Sequence, residues 1–312
     1  MNEILIEVEG LSKHYPPDVK AVDDISFQIR SGQIFSMLGP NGAGKTTTVE
    51  ILEGLRSPTA GKATIFGVDV TRDYSQLRTK VGILPQNFEP FDELRPTEAL
   101  EYWAGLFDMK LTRKDINGLL ERVNLTERKK VNSKKLSGGE KRKLGIALSI
   151  INDPELLFLD EPTTGLDPKA RRDLWRLVEE ISKKGTTVFL TTHYLDEAEK
   201  LSDDVGIMMK GKIIARGAPS ELISKYGKMT VVILVGVGKD GLKEITRRGI
   251  IATEEGGDVL VPVSDPSEMR TVFQKLSAIE LKVKDMYTRR QTLEDVFLGL
   301  VGAKMEEGVL KP

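Results

Sequence analysis

The residues Gly39-Pro40-Asn41-Gly42-Ala43-Gly44-Lys45-Thr46-Thr47 follow the order G-x-x-x-x-G-K-[ST], which suits them to hold a chain of phosphates. Glycines reach backbone turns closed to other residues, so several N–H groups can converge on phosphate oxygens at a helix N-terminus. Lys45 would neutralise the β- and γ-phosphates, and the Thr46 hydroxyl would ligate Mg²⁺. A second element, Leu156-Leu157-Phe158-Leu159-Asp160-Glu161, is an apolar run that ends in two carboxylates. Asp160 is suited to hold Mg²⁺, and Glu161 to orient or deprotonate an attacking water. Adjacent residues on a strand point opposite ways, so the two carboxylates are expected to have different tasks. Taken singly, each element has a plainer alternative: a glycine-rich turn that caps a helix, and a solvated strand end.

These groups act only if elements hold them in place. The expected frame is α/β: Ile34–Leu38, Leu156–Leu159 and Thr187–Leu190 are apolar on successive residues, as in a mostly parallel sheet buried on both faces. The glycine-rich loop joins the first of these strands to a helical pattern over Thr47–Leu55, the context a phosphate loop needs. Between about residues 87 and 135, Leu100, Trp103 and Phe107, then Ile116, Leu119, Leu120 and Val123, fall at helical spacing and predict a helical subdomain insert. The first domain is expected over residues 1–224. Beyond the Tyr226-Gly227 junction a small α+β C-terminal domain, 225–312, is expected in the order β-α-β-β-α-β. It has a strand over Met229–Val237, a turn at Gly256-Gly257-Asp258 and a closing helix opened by Thr292-x-x-Asp295.

Composition narrows the classes. Lys plus Arg number 46 and Asp plus Glu 47, giving a net charge of −1, so the basic face needed for nucleic acid is not indicated and no nucleic-acid partner is expected. With no cysteine, disulfides, thiolate metal sites and thiol nucleophiles are excluded. The apolar stretch Val231–Val237 is far below the roughly 18 residues a spanning helix needs. The start, Met1-Asn2-Glu3, has no secretion signal. Any work at a membrane would therefore pass through another subunit.

The phosphate loop alone marks a P-loop NTPase. Leu136-Ser137-Gly138-Gly139-Glu140 goes further: here the chain resembles the ATP-binding cassette (ABC) family, whose signature is LSGGQ or a close relative. Ser137 and Glu140 also form an S-x-x-E capping box, so a helix cap and a phosphate clamp are compatible. The resemblance extends in order along about the first 220 residues. It implies that Tyr15 stacks on adenine, that Gln86 belongs to a Q-loop as a further Mg²⁺ ligand, that Asp167 lies in a D-loop and that His193 is the switch histidine. It implies an ATPase with ATP and Mg²⁺ as cofactors and with Glu161, His193, Lys45 and Gln86 catalytic. Two copies would dimerise head to tail, the signature of one completing the phosphate loop of the other, and an integral membrane permease would be driven from the cytoplasmic face. Glu140 departs from the usual Gln and should preserve the cap. The segment Gln291–Leu298 resembles the end of ATPases that serve drug, antibiotic and polysaccharide-type exporters. An importer ATPase, a soluble ABC ATPase of translation or DNA repair, and a module that holds ATP without turnover remain as alternatives.

Overall fold

The structure is a computed structural model that describes residues 3–226, 230–263, 266–289, 291–301, 305–306 and 309–310. Gly227 and Met229, expected at the junction and at the head of the following strand, lie outside the described residues. Two compact units are present, Met1–Ala218 and Pro219–Lys304, with the terminal stretch from Met305 grouped with the first.

In the first unit, β1 (Ile4–Tyr15), β2 (Val19–Arg30), β4 (Ala60–Ile65) and β5 (Val68–Asp69) form an antiparallel sheet in the order β2-β1-β4-β5. A six-stranded sheet combines β3 (Ile34–Leu38), β6 (Val81–Leu84), β7 (Leu156–Asp160), β8 (Thr187–Thr192), β9 (Asp204–Met209) and β10 (Lys212–Gly217) in the order β10-β9-β3-β8-β7-β6. Its pairings are parallel from β9 through β6, and only β10 runs antiparallel. Every residue of β3, β7 and β8 is buried, as the unbroken apolar runs require.

One face of this sheet packs with the antiparallel sheet and α1 (Lys45–Leu52) through Phe27, Phe35, Phe158 and Phe189. The other face, with Leu157, Leu159, Val188 and Leu190, packs on α2 (Pro96–Gly105), α3 (Arg113–Arg122), α4 (Gly138–Ser149) and α5 (Pro168–Lys183). The expected insert is present as α2 and α3, with Leu100, Ile116, Leu119 and Leu120 buried against α4. Helix α1 stops at Leu52, short of the expected Leu55, because Gly54 follows in the left-handed region. Helix α6 (Leu195–Leu201) follows β8.

In the second unit, α7 (Pro219–Tyr226) packs on α10 (Leu293–Val301), so the first unit ends at Ala218 rather than at residue 224. Between them come β11 (Thr230–Val235), α8 (Gly238–Arg247), β12 (Thr253–Glu255), β13 (Asp258–Val263), α9 (Pro266–Ser277) and β14 (Asp285–Arg289). The sheet order β12-β13-β11-β14, antiparallel throughout, is the split βαβ arrangement expected from the alternation of patterns. Val232, Leu234, Val259 and Val261 face Ile245 of α8 and Val272 and Leu276 of α9.

Candidate active site

The phosphate loop leaves β3 and enters α1 at Gly44, whose φ of 108° and contact with the Ala21 carbonyl leave no room for a side chain. Lys45 is the first residue of α1, and its side chain folds back under the loop. Its Nζ donates to the carbonyls of Gly39 at 2.8 Å and Pro40 at 3.2 Å and lies 3.2 Å from Glu161 Oε1. Burial lowers the Lys45 ammonium from its usual range, against the raising influence of Glu161. A buried cation at the head of a helix is a receptor for anionic oxygens.

Across from Lys45, β7 delivers Asp160 as its last residue. Glu161 follows with φ 45°, a left-handed conformation rare outside glycine. Glu161 therefore lies beyond the strand, and its direction is set by this local turn rather than by strand alternation. The strand-alternation argument for their separate tasks is corrected accordingly: Asp160 is the last strand residue and Glu161 the first beyond it, and Glu161 Oε1 is the carboxylate oxygen paired with Lys45. They differ instead in their partners. Asp160 accepts from the hydroxyl of Thr191. Glu161 Oε2 accepts from Thr164 Oγ1 at 3.1 Å and from the side-chain amide of Gln86 at 3.2 Å, and lies 3.1 Å from His193 Nδ1. Burial pushes the Glu161 carboxyl up, but His193 and Lys45 outweigh it and hold the group down at about 2. Burial also raises Asp160, and there it prevails.

An open cleft of about 420 Å³ is lined by Tyr15, Asn41, Gly42, Gly44, Lys45, Thr46, Thr47, Gln86 and Glu161, among others. Tyr15 ends β1, and its ring lies 5.3 Å from Lys13 Nζ and 5.5 Å from Arg56 Cζ. Thr46, Asp160 and Gln86 provide hydroxyl, carboxylate and amide oxygens, a hard donor set suited to Mg²⁺ that shares its other positions with phosphate and water. Among the described residues no group of three or more His, Cys, Asp or Glu side chains could hold a metal by itself.

The remaining expected residues stand apart from that cleft. Ser137 caps α4: its Oγ accepts from the Glu140 N–H at 3.3 Å, and Glu140 Oε2 accepts from the Ser137 N–H at 2.9 Å. Glu140 also binds Arg128 Nε at 2.7 Å, so the acidic variant of the signature is anchored on two sides. Ser137 and Gly138 are exposed. Asp167 caps α5, accepting from the N–H groups of Lys169 at 2.9 Å and Ala170 at 3.0 Å.

A family model described as ABC transporter matches residues 22–164. The chain is 36% identical over 308 residues to the daunorubicin resistance ATP-binding protein of Streptomyces coeruleorubidus, covering 97% of each. It is 37% identical over 311 residues to the Nod factor export ATP-binding protein I of Ralstonia nicotianae, covering 97% of this chain and 95% of that one. The chain belongs to the ABC transporter family. Among solved structures, a subunit from Clostridium perfringens described as part of an ABC transporter complex superposes with a TM-score of 0.65 at 29% identity, over 72% of this chain and 92% of that one.

Within this ABC cassette the structure adds a residue that sequence reasoning missed. Arg142, in the second turn of α4, is 8% exposed and donates to four backbone carbonyls: Pro85 at 3.0 Å, Gln86 at 2.8 Å, Glu161 at 3.0 Å and Pro162 at 3.0 Å. It ties the loop after β6 to the loop after β7. In the sequence it sits inside Lys141-Arg142-Lys143, which reads as a solvated helix face. The one signal was its position two residues before the buried Leu144.

Proposed function

We propose that the chain is the ATP-hydrolysing subunit of an ABC exporter, closing head to tail with a second copy around ATP and driving a separate membrane permease. One observation carries this reading. A single cleft gathers Tyr15, the phosphate loop, Gln86 and Glu161, whereas Ser137 and Gly138 lie exposed at the head of α4 and do not line it. One chain thus offers phosphate donors on one side only, and the charge of a γ-phosphate needs donors around it. The exposed α4 N-terminus of a second copy supplies them.

Tyr15 would stack on adenine, and the loop from Gly39 to Thr47 would cradle the phosphates. An arriving γ-phosphate competes with Glu161 for Lys45, so the carboxylate is released to accept a hydrogen bond from the attacking water. His193 and Gln86, already on Glu161 Oε2, hold that carboxylate in place. Thr46, Asp160 and Gln86 would hold Mg²⁺, which supplies charge neutralisation on the phosphates when bound.

The export assignment draws on relatives whose names give drug resistance and Nod factor export. No helix among the described residues is long and apolar enough to cross a membrane. The proposed place of work is the cytoplasmic face of the membrane, through the permease. Steady-state ATPase of Glu161→Gln tests the assignment: ATP binding persists, turnover is lost and an ATP-bound dimer accumulates. Turnover at the wild-type rate would overturn the role given to Glu161. Recovery of the tagged chain with a polytopic membrane protein tests the permease, and a chain that purifies with ribosomes or DNA instead would overturn it.

A further inference from the structure

The sheet of the second unit has two edges of opposite character. On one side β12 is three residues long, Thr253-Glu254-Glu255, and its adjacent carboxylates discourage another strand from pairing there. On the other side β14 runs Asp285-Met286-Tyr287-Thr288-Arg289 and pairs with β11 from Val235↔Asp285 to Val231↔Arg289. Among the described residues no strand pairs with its outer side. Met286 and Tyr287 are each 49% exposed. Met286 pairs with Leu234 and shares its face, and Tyr287 pairs with Ile233 on the reverse, so this edge shows apolar surface on both faces.

The strand is its own complement. Read antiparallel about Tyr287, Asp285 of one copy opposes Arg289 of the other, Met286 opposes Thr288, and Tyr287 opposes itself. A two-fold axis through an antiparallel sheet keeps each residue on its own face, so only residue-centred registers are possible. Centring on Met286 sets Asp285 against Tyr287 and Arg289 against Val283, and both ion pairs vanish. Centring on Thr288 sets Arg289 against Tyr287, with the same loss. Arg289 already donates to Asp295 at 2.9 Å, and its fork has further N–H groups for a second carboxylate.

We propose that β14 is a homodimerisation edge, pairing antiparallel with β14 of a second copy about Tyr287 to join two four-stranded sheets into one. This contact needs no nucleotide. It is separate from the closure around ATP and holds whichever cargo the transporter carries.

The chain has no cysteine, so Tyr287→Cys introduces a single thiol on the proposed axis, facing its twin. Directly opposed residues have Cα atoms about 4.5–5.5 Å apart, within the roughly 4.4–6.8 Å that a disulfide spans. In the full chain without nucleotide, and with Ser137→Arg present to block closure around ATP, mild oxidation of Tyr287→Cys gives mostly covalent dimer. Met286→Cys, equally exposed but offset from its twin, crosslinks several times more slowly. Asp285→Arg and Arg289→Asp each weaken the solution dimer, and mixing the two restores it, because every opposed pair is again of opposite charge. That recovery also shows that neither variant is merely misfolded. Equal crosslinking at the two positions, charge variants that associate like the parent, or crosslinking of Tyr287→Cys to a membrane protein instead of to itself would overturn the proposal.

Discussion

Arg142 donates to carbonyls on the loops that carry Gln86 and Glu161, so on the proposed function its loss should be felt in stability and in turnover together. Arg142→Met would leave buried acceptors without donors, at a cost on the order of 3 kcal/mol. That is a fall of several degrees in the midpoint of a thermal melt. Arg142→Lys keeps the charge but not the fork, and should recover part of the melting temperature and less of the ATPase rate. Glu53 makes the opposite case. It is 5% exposed at the end of α1, with Oε1 lacking a partner, and burial together with the Asp160 and Glu50 charges raises its carboxyl to about 8. A folded pKa above the unfolded value means that stability is fully present below about 4.5 and is lost as pH rises through about 8. Glu53→Gln should therefore melt higher than wild type without nucleotide, by a margin that widens as pH rises and levels off above pH 8 at about 5 kcal/mol. Identical melting at all pH values would show that Glu53 is not buried as a charge.

At the scale of elements, α4 serves twice, as a capped helix and as the carrier of Ser137. The two roles separate by substitution. Ser137→Ala removes the cap acceptor and should cost about 1 kcal/mol in the melt. Ser137→Arg should block hydrolysis with the phosphate loop intact, because a bulky cation replaces the donor; unimpaired turnover would remove Ser137 from the site. Strand β3 was legible to the residue and β8 to within two residues at its end, since an apolar run ending near a glycine or a histidine has few alternatives. The box of Ser137 and Glu140 was legible because capping is local. Less was visible where tertiary contact decides. Helix α7 joins α10 although its sequence continues smoothly from the first unit. The left-handed Glu161 leaves no mark in a strand pattern, and Arg142 looks like its solvated neighbours. The site's membership was in the residue types; its wiring was in the packing.

For the whole molecule, the shared-site reading makes a prediction that no single chain can satisfy. Lys45→Ala and Ser137→Arg should each abolish ATPase alone, since every composite site then carries a defect. Mixed in equal amounts they form heterodimers in which one site pairs the intact phosphate loop of the Ser137→Arg chain with the intact Ser137 of the other. Activity should return in the mixture, and a mixture that stays silent would argue against composite sites. The Arg142 clamp carries this further. The guanidinium that fixes the loop bearing Gln86 and the loop bearing Glu161 is planted a turn or so below the Ser137 cap, on one stiff rod of backbone. In the proposed dimer, a push on the tip of that rod by one copy's triphosphate would reach Glu161 of the opposite copy along a single helix. Two combustion chambers joined by such a crankshaft would fire in phase.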